Sequence, residues 1–147
     1  ASLSSDIRII NGLSGAIGGG ICYAIAAKIA RPQSTVVLAM GDGTAGFHFS
    51  EFETAARYGA NVVALIGHDS KWNAEYQIQL RDYGENRLLE CELSDARYDL
   101  AAAGLGCHGE FVESAPQLDA ALARALESGK PACVSVQIEG VPAPSGH

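Results

Sequence analysis

Two short polar signals in this sequence have the types and spacing for chemistry. Gly41-Asp42-Gly43-Thr44 follows directly on the apolar run Val36-Val37-Leu38-Ala39-Met40. Gly67-His68-Asp69-Ser70 follows in the same way on Val62-Val63-Ala64-Leu65-Ile66. Twenty-seven residues separate Asp42 from Asp69, the length of one strand–helix–strand crossover. If the two runs are adjacent parallel strands, both carboxylates arrive at one edge of the sheet, where open α/β sheets hold their ligands. Glycines on both sides of Asp42 let a ligand approach the backbone closely. Gly43 and Thr44 offer N–H groups and a hydroxyl, the donors a phosphate takes. Two carboxylates with carbonyl oxygens form a hard donor set that suits Mg²⁺, which completes its octahedron with phosphate and water. The combined expectation is a Mg²⁺–diphosphate cradle. Either aspartate alone would be an ordinary turn residue after a strand; the two matched strand ends carry the inference.

The elements that must position these groups read as alternating strands and helices, the signature of a parallel sheet with crossover helices. Residues 13–30 are rich in Ala, Gly and Ile and predict a glycine-rich loop running into a buried helix that stops before Arg31-Pro32. The runs 36–40 and 62–66 are continuous and apolar, as strands buried on both faces are. Ser50-Glu51-Phe52-Glu53 has the form of a capping box, opening a helix that Gly59 closes. Residues 70–90 are polar and aromatic without a clean period, predicting a short helix and a mobile loop. Tyr98–Ala103 predicts a helix stopped by Gly104, and Phe111-Val112 a short strand. Ser114–Leu126 predicts a helix with Pro116 in its first turn, and Ala132–Ile138 alternates as a last strand. The tail from Val141 to His147 reads as a terminus or linker.

The 147 residues carry 10 Lys and Arg against 17 Asp and Glu, a net charge of −7. That excludes the basic stripe of a nucleic-acid protein and argues against anionic membranes. At 48% hydrophobic and 18% charged, the chain can bury a core and has a mostly neutral surface, part of it suited to an interface. No run approaches the roughly 18 apolar residues of a membrane span. The opening Ala1-Ser2-Leu3-Ser4-Ser5-Asp6 has no secretory-signal pattern. Four scattered cysteines (Cys22, Cys91, Cys107, Cys133) show no zinc spacing and read as buried reduced thiols in a cytoplasmic protein.

The stretch from Gly41-Asp42-Gly43 to Asp69 resembles the thiamine-diphosphate-binding motif, Gly-Asp-Gly followed about 27 residues later by Asn or Asp. Leu13-Ser-Gly-Ala-Ile-Gly-Gly-Gly20 is similar to the glycine-rich loop of acetolactate-synthase-like enzymes. Glu51-Phe-Glu-Thr-Ala-Ala-Arg-Tyr-Gly59 is similar to their next helix and Gly129-Lys-Pro-Ala-Cys-Val-Ser-Val136 to their last strand. The resemblance covers nearly the whole chain and implies one domain over 1–147. It would be a three-layer α/β sandwich with a mainly parallel sheet, the C-terminal part of a longer enzyme that grips the diphosphate of thiamine diphosphate.

Position by position, the resemblance implies Asp42 and Asp69 as metal ligands with the backbone carbonyl of Lys71 as a third. It implies Gly41, Gly43, Thr44 and Ser70 around the diphosphate. Ile17 would lie under the cofactor rings and the Gly15 carbonyl would accept from the aminopyrimidine. His68-Asp69 departs from the commoner Asn-Asn, and the Lys71 ammonium stands where it could offset the added charge. His68 is then a candidate for shaping the site from behind, against the plainer role of a structural histidine. Glu75 stands where some decarboxylases keep an active-site glutamate, though other branches have none there and a solvated helix residue is the plainer reading. Trp72 and Tyr76 are candidates for a substrate pocket.

The resemblance also implies a partner. A glutamate on a pyrimidine-binding domain assists the cofactor in this family, and nothing in the chain resembles that domain. The expectation is part of an acetolactate-synthase-like lyase or transferase acting beside a 2-keto or 2-hydroxyacyl group, assembled as a homo-oligomer and inactive as this chain alone. A naturally separate small subunit of a two-chain 2-keto acid decarboxylase is the first alternative. A non-catalytic module that lost the cofactor is the second.

Overall fold

A computed structural model describes residues 15–142. The opening segment, the first two residues of the Leu13–Gly20 loop and the end of the tail lie outside the described residues. Four strands form one parallel sheet: β1 (Val36–Gly41), β2 (Val62–His68), β3 (His108–Val112) and β4 (Ala132–Gln137), in the order β1-β2-β4-β3. The helices are α1 (Gly20–Ala30), α2 (Asp42–Phe47), α3 (Glu51–Arg57), α4 (Asn73–Tyr83), α5 (Tyr98–Gly104) and α6 (Ala115–Glu127).

The period of two along each strand divides the core into two layers. Val62, Ala64 and Ile66 of β2 face Ile21, Ala24 and Ile25 of α1, Phe52 and Ala55 of α3, and Ala102 of α5. Val63 of β2, Val112 of β3 and Val134 of β4 face Ala121 and Ala125 of α6. Helices thus flank both faces of a parallel sheet, the expected three-layer arrangement. Phe52 is fully buried, and its removal would open the largest void in the first layer.

Several local expectations need correction. β1 is an edge strand whose second face lies beyond the reach of α6, so Val37 is 55% exposed, where burial on both faces was expected. β4 is the reverse case. It sits between β2 and β3, and Ala132, Cys133, Val134 and Ser135 are all buried whichever way they point. α1 is buried on one side only, and its other side is also apolar, with Tyr23 and Ile29 more than half exposed. Cys22 is exposed there too, while the other three cysteines are buried and all four are free.

The capping box at Ser50 does not form. The link from α2 to α3 is already helical, with Glu51 N–H bonded to the His48 carbonyl and Phe52 N–H to that of Phe49. Ser50 therefore has helical dihedrals (φ −57°, ψ −21°) in place of the extended ones a cap uses. Glu53 turns forward to Arg57 at 3.0 Å instead. At the start of α6, Gln117 does reach back, accepting from the Ser114 N–H at 3.2 Å.

Beyond β2 the helix is α4, eleven residues long and not short. The chain then returns to make an antiparallel bridge between Lys71 and Glu92. Two backbone bonds carry it: Trp72 N–H to the Cys91 carbonyl (2.8 Å) and Leu93 N–H to the Ser70 carbonyl (2.7 Å). β3 extends over five residues, three more than its apolar pair suggested.

Candidate functional site

The register of β1 against β2 pairs Gly41 with Gly67. Both strands therefore end at the same level, and the polar signals that follow them meet. Asp42 is the first residue of α2, directly after β1, and it is 2% exposed. Its Oδ1 accepts the Gly43 N–H at 2.9 Å and its Oδ2 accepts the Ser70 N–H at 2.8 Å. One buried carboxylate thus joins the turn after β1 to the turn after β2. Burial pushes its pKa up, and the Gly43 and Ser70 N–H bonds hold the rise in check; nearby Asp69 adds to the rise and His68 opposes it. An incoming cation would remove that penalty, because it favours the charged form.

Asp69 is half-buried, and its Oδ1 accepts the Lys71 N–H at 3.2 Å. The Lys71 carbonyl accepts no hydrogen bond among the described residues. The Lys71 ammonium lies 4.5 Å from the centre of the Tyr76 ring, a cation–π contact. Tyr76 is therefore engaged by Lys71 and is not part of the cleft wall.

The cleft beyond β1 and β2 has a volume of about 580 Å³. Of the predicted residues, Ile17, Gly41, Asp42, Gly43, Thr44, Asp69, Lys71, Trp72 and Glu75 line it. Gly15 and Ser70 are not among its walls. Gly15 is exposed with φ +67°, and Ser70 turns its N–H to Asp42 and its hydroxyl to His68. The Gly43 N–H, expected to be open to phosphate, is already taken by Asp42. Glu75 is exposed in the first turn of α4.

The Trp72 ring lies directly on Gly43. A Cβ at Gly43 would stand 2.6 Å from Trp72 Cζ3, so only glycine lets the indole close over this turn. Phe47 supports the indole edge-on at 5.9 Å.

Sequence reasoning missed the apolar floor of the cleft, made by Ala39, Leu65, Val136 and Ile138. Their alternation along β1, β2 and β4 was the available signal, but it reads as ordinary core. It also missed the clamp beyond β4. Asn73 Nδ2 donates to the Val141 carbonyl at 2.8 Å, and Gly140 lies so near Asp69 that a Cβ there would stand 3.3 Å from its Oδ2. No pattern links residues so far apart in sequence.

Among the described residues, no three His, Cys, Asp or Glu side chains converge as metal ligands. A Mg²⁺ site needs only one or two carboxylates plus carbonyl, phosphate and water. Asp42, Asp69 and the Lys71 carbonyl fit that donor set. A second hollow, of about 460 Å³, lies at the opposite end of the sheet. Arg124 there is held by Glu110 at 2.8 Å.

Residues 4–136 match the family model described as "Thiamine pyrophosphate enzyme, C-terminal TPP binding domain". The chain belongs to this family. Thiamine pyrophosphate is the same compound as thiamine diphosphate. The chain is 42% identical over 126 residues to a protein of Mycobacterium bovis named "Probable acetolactate synthase", covering 86% of this chain and 23% of the relative. It is 40% identical over 87 residues to the "2-hydroxyacyl-CoA lyase 2" of Xenopus laevis, covering 59% of this chain and 13% of the relative. The human "2-hydroxyacyl-CoA lyase 2" is 37% identical over 98 residues, with 67% and 15% covered. The chain therefore spans less than a quarter of the length of these relatives. Within the thiamine-pyrophosphate enzymes, the matched region is the cofactor-binding one, and the cleft at the ends of β1 and β2 is where its glycines and aspartates gather. No helix among the described residues is long and apolar enough to cross a membrane.

Proposed function

We propose that this domain holds Mg²⁺ and the diphosphate of thiamine diphosphate in the cleft beyond β1 and β2. It would do so within an enzyme that cleaves or forms a C–C bond next to a 2-keto or 2-hydroxyacyl group. The observation that carries the reading is the bond from Ser70 N–H to Asp42 Oδ2, 2.8 Å long, which ties the two metal-ligand turns together across adjacent parallel strands. Asp42 and Asp69 would supply carboxylate oxygens to the cation and Lys71 its backbone carbonyl. Thr44 would donate its hydroxyl to the diphosphate. Trp72 and the apolar floor would exclude water from that side, which strengthens every charge interaction within the cleft. Ile17, 43% exposed at the rim, would gain cover when the cofactor rings lie on it. When bound, the cofactor supplies an electron sink at the carbon whose bond is broken; the protein supplies binding, orientation and electrostatics.

The pyrimidine-binding half would come from elsewhere in the same enzyme or from a partner subunit, so this chain alone would show no turnover. The exposed apolar side chains of α1, Tyr23 and Ile29, support a homo-oligomer that covers them. The length of the native gene product separates a fragment from a natural small subunit.

The test uses the single tryptophan of the chain. Trp72 forms one wall of the cleft, so its emission should change on adding thiamine diphosphate with Mg²⁺ and recover with a chelator. Unchanged emission together with no heat of binding in calorimetry would overturn the reading.

A further inference from the structure

We propose that His68 is a positioning residue that locks the metal-binding turn before any cation arrives. This rests on the cofactor reading of the cleft given above. Ser70, the residue between Asp69 and Lys71, has φ +55°. That is the left-handed region, which costs any side chain bearing a Cβ. Two of the contacts that hold Ser70 there use only its backbone: its N–H donates to Asp42 Oδ2 at 2.8 Å, and its carbonyl accepts from Leu93 at 2.7 Å. Either would hold any residue. The third contact reads the side chain: Ser70 Oγ is 3.1 Å from His68 Nε2.

The imidazole is well placed to impose a fixed geometry. His68 is 3% exposed. Its Nδ1 lies 3.5 Å from Ser135 Oγ and its ring meets that of Tyr98 edge-on at 5.5 Å. On the Nε2 side stand Asp95 Oδ1 at 3.5 Å and Asp42 Oδ2 at 3.9 Å. A lone pair on Nε2 would face both carboxylates, so the favoured tautomer carries the proton on Nε2. Nε2–H then donates to Ser70 Oγ, and Nδ1 accepts from the Ser135 hydroxyl. The buried ring fixes the Ser70 side chain, the side chain helps fix φ, and φ aims the Ser70 N–H at Asp42. Asp42, Asp69 and Lys71 are thereby presented together. Binding to a turn already formed avoids the ordering cost that a loose turn would charge against affinity.

The experiment is a double-mutant cycle on His68 and Ser70 with two readouts. The first is affinity for thiamine diphosphate with Mg²⁺, followed by calorimetry. His68→Leu should weaken it about tenfold, the loss of one hydrogen bond that holds a strained turn. Glycine adopts the left-handed region without penalty. In a chain already carrying Ser70→Gly, His68→Leu should therefore cost less than about twofold. His68→Gln, whose amide nitrogen can stand near the Nε2 position, should retain most of the affinity. An equal cost of His68→Leu in both backgrounds would overturn the lock.

The second readout is amide exchange in the metal-free chain. His68→Leu should speed exchange at Ser70 about tenfold and leave the β2 amides unchanged; unchanged exchange at Ser70 would overturn the lock. A parent chain that bound no cofactor would overturn the reading of the cleft, and exchange would still judge the lock. Should His68→Leu fail to fold, Ser70→Ala and Ser70→Gly decide. Alanine keeps the strain and loses the contact, so it should speed exchange at residue 70 where glycine does not. Equal effects would overturn the proposal.

Discussion

Asp42→Ala separates the structural role of the buried carboxylate from the cofactor role proposed for it. Without ligand, the change removes the acceptor for two N–H groups, at 2.9 and 2.8 Å. Hydrogen bonds to a charged group contribute about 1.5–3 kcal/mol each. The change also removes a carboxylate that is costly to bury, and whose pKa burial raises above its ordinary value of 3.8. The two effects oppose, leaving a net loss of about 1–2 kcal/mol. That is a tolerable fraction of the stability of a domain this size, so the variant should fold.

The sign of the pH dependence follows from the raised pKa. Protonated Asp42 is the form that burial favours, so its contribution to stability is fully present below the ordinary value. It is lost as pH rises through the folded value. The deficit of Asp42→Ala, measured without cation, should therefore shrink as pH rises above the ordinary value of 3.8.

With ligand the two proteins should diverge. At a ligand concentration a hundred times Kd, binding stabilises the parent by about 2.7 kcal/mol. For a chain of this length that raises Tm by about 5–10 °C. Asp42→Ala should gain nothing. The assay is thermal unfolding at neutral pH with and without Mg²⁺ and thiamine diphosphate. A gain in the variant equal to that of the parent would refute the assignment of Asp42 to the cation.

Other outcomes test neighbouring parts of the molecule. Gly43→Ala should drive the Trp72 ring off the turn, since the new Cβ would lie 2.6 Å from Cζ3; tryptophan emission should shift and the ligand-dependent rise in Tm should disappear, at a stability cost of about 1–3 kcal/mol. Glu110 tests the opposite end of the sheet: the Arg124 guanidinium, with help from His108, holds its pKa at about 2. A depressed carboxylate stabilises above its ordinary value of 4.5 and loses that contribution as pH falls through about 2. Arg124 is more than half exposed, so screening leaves about 1 kcal/mol; Glu110→Gln should be less stable than the parent by that amount at pH 6 and equal to it near pH 2 in urea titrations.

The alternation of strands and helices was legible because each element buries a face of its own period, and those periods are written locally. The meeting of Asp42 and Asp69 was legible for the same reason: two strand ends one crossover apart must meet if the strands are adjacent. Burial was legible only in part. Val37 and Val63 look alike in sequence, yet Val37 is exposed on an edge strand and Val63 is buried on a central one. Strand order decides between them, and the crossover that places β4 between β2 and β3 leaves no local mark. Ser50 failed as a cap for a related reason. Its motif is intact, but the preceding turn was already helical and there was no orphaned N–H for the hydroxyl to take.

His68 shows the same limit within the site. Its sequence neighbours mark it as a departure from Asn. Its partners come from two other stretches of chain, Ser135 from β4 and Asp95 and Tyr98 from the segment leading into α5. An asparagine is too short to span from the Ser135 side of this pocket to Ser70 Oγ. An imidazole can bond at both ends, through Nδ1 and Nε2. The histidine thus fills the distance between Ser135 on the central strand β4 and the Ser70 turn. Ser135 makes that claim concrete. Ser135→Ala, a residue that does not line the cleft, should loosen the Ser70 turn through His68, seen as faster exchange at Ser70. No such change would mean that Nδ1 needs no partner and that Ser70 alone fixes the ring.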